Sequence, residues 1–101
     1  MKTFITDKFL WDIYKVLNAI EDGGRLLLHP PKKFSDIYLD TNNPVYQKYV
    51  KLVQRRQFTN LIYYLKRNNY IKSKSLDGKE AVMLTKKGIE RAVIARFKVE
   101  D

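Results

Sequence analysis

The sequence predicts an α+β domain, mainly α: three to four helices, a small antiparallel sheet and a projecting β-hairpin. Three observations predict it. Apolar residues recur at three- and four-residue spacing in several separate segments. After Asn68-Asn69 the spacing drops to two, the period of a strand. In the middle of that alternating stretch stands Asp77-Gly78, a strong hairpin turn signal. The length of 101 residues is that of one domain, taken as 1–101.

The first helix carries Phe9, Leu10, Ile13, Val16, Leu17 and Ile20 as its inward stripe, with Lys8, Asp12 and Lys15 opposite. Thr6 or Asp7 is suited to cap it, and Gly23-Gly24 to end it. Arg25-Leu26-Leu27-Leu28 is short and apolar, which fits a brief buried strand. From His29 to Asn43 the pattern is broken by Pro30-Pro31 and Asn42-Asn43-Pro44; between them Phe34, Ile37 and Tyr38 would pack one face of a short helix. Asn43 caps the next helix and Pro44 opens it, with Tyr46, Tyr49, Val50 and Val53 as its stripe. A basic helix follows from Arg55 or Arg56 to Asn68, turning Phe58, Leu61, Ile62 and Leu65 inward. Asparagine tolerates the left-handed conformation, so Asn68-Asn69 stops it. Tyr70 to Ser75 and Glu80 to Leu84 form the hairpin. Thr85 caps a last helix with Ile89, Ala92, Val93 and Phe97 inward. Helix, strand, two helices, hairpin, helix is the order of a winged helix-turn-helix.

Charge is segregated along this order. Residues 1–44 hold six basic and six acidic side chains; residues 45–101 hold fourteen and five, so the whole net charge of +9 lies in the second part. From Thr41 to Leu76 there are eight Lys and Arg and no acid. Such a surface suits a polyanion, double-stranded DNA first. A scattered, solvated surface charge is the competing explanation.

Other chemistry is poorly provided for. Without cysteine there is no disulfide, thiolate metal site or thiol nucleophile, and the expected compartment is the cytoplasm. His29 is the lone histidine and Pro30-Pro31 follows it, so no metal is expected. Asp36 and Asp40, four apart, balance Lys32 and Lys33 more simply than they make a catalytic pair. No cofactor and no enzymatic activity are expected. The longest apolar run, Leu61 to Leu65, is far below the ~20 residues of a membrane span. Asp7 and Asp12 interrupt the stretch a signal peptide would need.

With the basic helix turned inward through Phe58 and Leu65, the other face presents Arg56, Thr59, Asn60, Tyr63 and Arg67. An α-helix fits the major groove, where Arg pairs with a guanine edge and Asn with adenine. Arg55, Arg56, Gln57 and Asn60, near the helix start, are expected to reach bases, and Lys51, Lys66 and Arg67 phosphates. Lys72, Lys74 and Lys79 flank the hairpin turn and would touch backbone, although lysines on an edge strand also discourage aggregation. Trp11, Tyr14 and Ile94 fall outside the inward stripes of the first and last helices, which predicts a homodimer interface there. The alternative is that Trp11 covers the loop from His29 to Asn43.

Two stretches resemble a known family. Arg55 to Ile71 is similar to the basic helix that runs into the wing in PaaX-like regulators. Leu84-Thr85-Lys86-Lys87-Gly88 matches an L-T-x-K-G junction that many winged-helix regulators share after the wing. With Gly23 to Leu28, the whole resembles the N-terminal DNA-binding module of PaaX-like proteins over residues 5–97, most sharply over 55–88. The resemblance implies a transcriptional regulator that binds duplex DNA. A similar module is fused to the nuclease subunit of CRISPR spacer-integration complexes, which implies as the alternative an accessory domain docking DNA or protein. PaaX-like regulators continue into domains that dimerise and sense an acyl-coenzyme A; this sequence stops at Asp101, so effector binding is not carried over, and the expectation is either a stand-alone regulator or one with a covalent or separate C-terminal partner domain.

Overall fold

The computed structural model describes residues 2–21 and 37–99. They form helix α1 (Lys2–Glu21), strand β1 (Leu39–Asp40), helices α2 (Pro44–Leu52) and α3 (Arg55–Arg67), strands β2 (Ile71–Leu76) and β3 (Lys79–Leu84), and helix α4 (Lys86–Val99). The three strands make one antiparallel sheet in the order β1-β3-β2. This is the expected α+β, mainly helical, winged-helix arrangement.

The central element is α1. Phe9 faces α2 and α3, meeting the rings of Tyr46, Tyr49 and Phe58 edge-on at 5.1–6.2 Å. On another side Asp7 receives the Arg91 Nε–H of α4 at 2.9 Å. Trp11, Tyr14 and Asn18 follow Asp7 at intervals of four, seven and eleven residues and so lie on the same side of α1 as Asp7. Trp11 is 1% and Tyr14 0% exposed, and their rings stack at 5.6 Å. The predicted dimer surface therefore loses both aromatics. A helix packed on two flanks needs an apolar arc wider than one stripe, and these residues fill it. Of that prediction only Ile94 remains outside, 56% exposed. Ile20 and Phe97, expected to face inward, are exposed, and Ala95 takes the buried place on α4. Asn18 is buried, and among the described residues its amide finds no hydrogen-bond partner, which costs about 1–3 kcal/mol.

Other differences follow from non-local pairing. Thr6 and Asp7 lie inside α1, which starts at Lys2, not at its start. The third strand is Leu39–Asp40, where Leu39 opposes Val82 and Asp40 opposes Ala81. Asp40 thus shares no helix face, and Ile37 and Tyr38 precede the strand outside any helix. Gly23-Gly24, the strand expected at 25–28, His29, Phe34 and Asp36 lie outside the described residues. Beyond β1, the Asp40 carboxylate accepts from Asn42 N–H at 2.8 Å and Thr41 N–H bonds Glu80 O at 3.1 Å, fixing the chain as it enters α2.

Local chemistry governs the remaining boundaries. Asn43 Oδ1 accepts from Val45 N–H at 2.9 Å and Pro44 occupies the first turn. After α3, Asn69 takes φ +61°, with Asn69 N–H on Lys66 O at 3.1 Å and Tyr70 N–H on Leu65 O at 2.9 Å. That pair of bonds is a Schellman stop with asparagine in the left-handed position. Asp77 (φ 52°) and Gly78 (φ 78°) close the hairpin between Leu76 and Lys79, the signature of a two-residue type I′ turn. Thr85 Oγ1 accepts from Gly88 N–H at 3.0 Å and caps α4. Among the described residues no helix is long and apolar enough to cross a membrane.

Candidate nucleic-acid interface

A short link, Val53-Gln54, sets α3 against α2. Phe58 and Leu65 anchor α3 in the core, and Leu61 and Ile62 are half-buried beside them. Arg55, Arg56, Gln57, Thr59, Asn60, Tyr63 and Arg67 are all exposed, Tyr63 to 65%. Lys51 is exposed at the end of α2. The expected base-reading residues of α3, together with Arg67 and Lys51, are thus all open to solvent. Gln54, the residue before α3, makes no side-chain cap bond, and the first turn holds no acid. Two arginines therefore stand at the positive end of the helix dipole, where they oppose helix formation and favour an anion in front of it. The hydroxyl of Thr59 donates to Arg55 O at 3.0 Å, which ties it to the helix backbone.

Lys66 departs from its expected role. Its Nζ lies 3.6 Å from Glu80 Oε1, one residue pair from the hairpin turn. The wing divides by register. Ile71, Ser73 and Ser75 oppose Leu84, Val82 and Glu80, and Ile71, Val82 and Leu84 belong to the helical core. Lys72, Lys74 and Lys79 pair with Met83, Ala81 and Leu76 on the other face. All three are exposed, but they project away from α3, and Lys74 lies 5.7 Å over the Tyr38 ring. Proximity to the turn does not fix which side these lysines take; the pleat does.

Two tyrosines behind the face hold α2 in place. Tyr49 donates its hydroxyl to Asp12 of α1, and burial, then that bond, push its phenol well above the usual range. Tyr46 is pushed up to about 12, first by burial and then by the negative charge of Glu80. Asp12 also meets Lys15 at 3.3 Å. Glu80 thus reaches α3 through Lys66.

Among the described residues no group of three His, Cys, Asp or Glu is placed to hold a metal. An open groove of about 660 Å³ lies between α1 and α2, lined by Asp12, Lys15, Val16, Ile20, Val45 and Lys48. No family model, curated protein or solved structure matches this chain.

Proposed function

We propose that this chain is a duplex-DNA-binding winged-helix module of a PaaX-like transcriptional regulator, with α3 in the major groove. The carrying observation is the exposed, acid-free face of α3, from Arg55 and Arg56 through Asn60 and Tyr63 to Arg67. Phosphate neutralisation supplies affinity, and Arg56, Gln57 and Asn60 supply the hydrogen-bonding groups that read base edges. Lys51 lies on the preceding helix to meet backbone, and the wing stands beside the duplex. No step in this activity breaks or makes a covalent bond. Selection from pooled random duplexes at physiological salt tests it. Enrichment of a motif supports a regulator; tight binding without a motif supports a DNA-docking accessory role in spacer integration; absence of binding overturns the duplex reading and leaves protein docking.

A further inference from the structure

Two helices of this chain begin on a pair of cations, Arg55-Arg56 in α3 and Lys86-Lys87 in α4, and neither first turn contains an acid. Positive charge there opposes the helix dipole, so each pair weakens the helix that carries it. The first pair opens the face proposed to enter the groove. The second has no part in that face, yet it repeats the same unfavourable placement.

The backbone brings the second pair to the opposite end of α3. Thr85 N–H bonds Tyr70 O at 3.1 Å, and the Thr85 hydroxyl donates to Asn69 O. The start of α4 is therefore fastened to the turn that ends α3, where Lys66 and Arg67 stand. Lys86 and Lys87 are exposed, and Lys87 Nζ lies 5.0 Å over the Tyr70 ring. The nearby acids are few: Glu80 is engaged by Lys66 at 3.6 Å, and Glu90 lies one turn beyond Lys86. Among the described residues Arg67, Lys86 and Lys87 have no ion-pair partner. The span also fits. Thirteen residues make α3 about 20 Å long, enough for its two ends to reach separate phosphates.

We propose that Arg67, Lys86 and Lys87 form a second phosphate-binding subsite at the corner between α3 and α4. It grips the DNA strand across the groove from the one met by Arg55 and Arg56, in place of the far-side wing lysines. This rests on the duplex-binding reading above.

The test titrates a labelled random-sequence 20-base-pair duplex over a salt series with wild type, Lys86→Gln/Lys87→Gln, Lys86→Arg/Lys87→Arg and Arg96→Gln, and records each melting temperature. Loss of two phosphate contacts lowers the log–log salt slope by about 1.8. The Gln pair is expected to show that drop, equally for every sequence, with a melting temperature unchanged or raised. The Arg pair and Arg96→Gln are expected to keep the wild-type slope. A Gln pair that binds with the wild-type slope overturns the subsite and leaves the duplex reading standing. A wild type that shows no salt-dependent binding overturns the reading, and the subsite with it.

Discussion

The Cα of Gly88 lies against the carbonyl of Tyr70, so closely that a Cβ there would stand 1.9 Å from the oxygen. That oxygen also accepts the Thr85 N–H. The Leu84-Thr85-Lys86-Lys87-Gly88 junction thus has a mechanical meaning: Thr85 holds the turn after α3, and Gly88 leaves room for it. Since backbone meets backbone, Gly88→Ala must displace α4 from the turn. We expect a loss of about 3 kcal/mol or more in urea unfolding, in the range of severe core substitutions. A loss below about 1 kcal/mol would mean that the junction yields freely.

For the recognition face, Arg56→Ala or Asn60→Ala is expected to relax base choice by ~1–3 kcal/mol at one position. Lys51→Ala should weaken all sequences alike. Competition binding with single-base operator variants separates these outcomes, and equal small losses for all three substitutions would refute the face assignment.

Glu80 sits where a phosphate approaching Lys66 would go. Glu80→Gln removes that competitor and frees the amine. We expect duplex affinity to rise, up to roughly fivefold given the ~0.2–1 kcal/mol of an exposed ion pair. The salt slope should steepen by up to about 0.9. Unchanged affinity and slope would place Lys66 outside the interface.

Alkaline pH should destabilise the fold. The Tyr46 phenol titrates near 10 in the unfolded chain and at about 12 in the folded one. Its neutral form is favoured by folding, so this stability is complete below pH 10 and is lost as pH rises toward 12. The decline is about 1.4 kcal/mol per pH unit for each such group, and Tyr49, raised in the same direction, adds to it. Urea unfolding at pH 9, 10 and 11 measures the decline, and Tyr46→Phe should make it shallower. An identical slope in that variant would remove Tyr46 as a cause.

Trp11→Ala empties a fully buried site between α1 and its neighbours. The expected loss is about 3–5 kcal/mol of unfolding free energy. Sedimentation at micromolar concentration should be unchanged in a folded sample, since Trp11 is core. A variant that keeps its stability but changes its association state would return Trp11 to an interface.

What could be read in advance was what neighbouring residues settle among themselves. Asn43-Pro44, Asp77-Gly78 and Thr85 each satisfy or free backbone groups within a few positions, so their caps and turns were legible. The inward side of α3 was legible for the same reason, through Phe58 and Leu65. Leu39–Asp40 carries no strand signal in two residues; it is a strand because Val82 and Ala81, forty-odd positions later, present a free edge. Trp11 and Tyr14 looked surplus because periodicity gives one stripe and cannot tell that two partners flank α1. The side of the wing lysines depended on register, and the partner of Lys66 on a strand fourteen residues away.

The ion pair of Asp7 with Arg91 joins positions 84 residues apart. During synthesis this has an order-of-events consequence. While the ribosome is still making the hairpin, α1, α2 and α3 can already gather around Phe9, but the side of α1 that meets Arg91 still waits for α4. It stays open to chaperones, or to another nascent chain, until α4 emerges, because non-local contacts wait for their second half. Helix α3 is thus translated well before the segment that locks its scaffold shut.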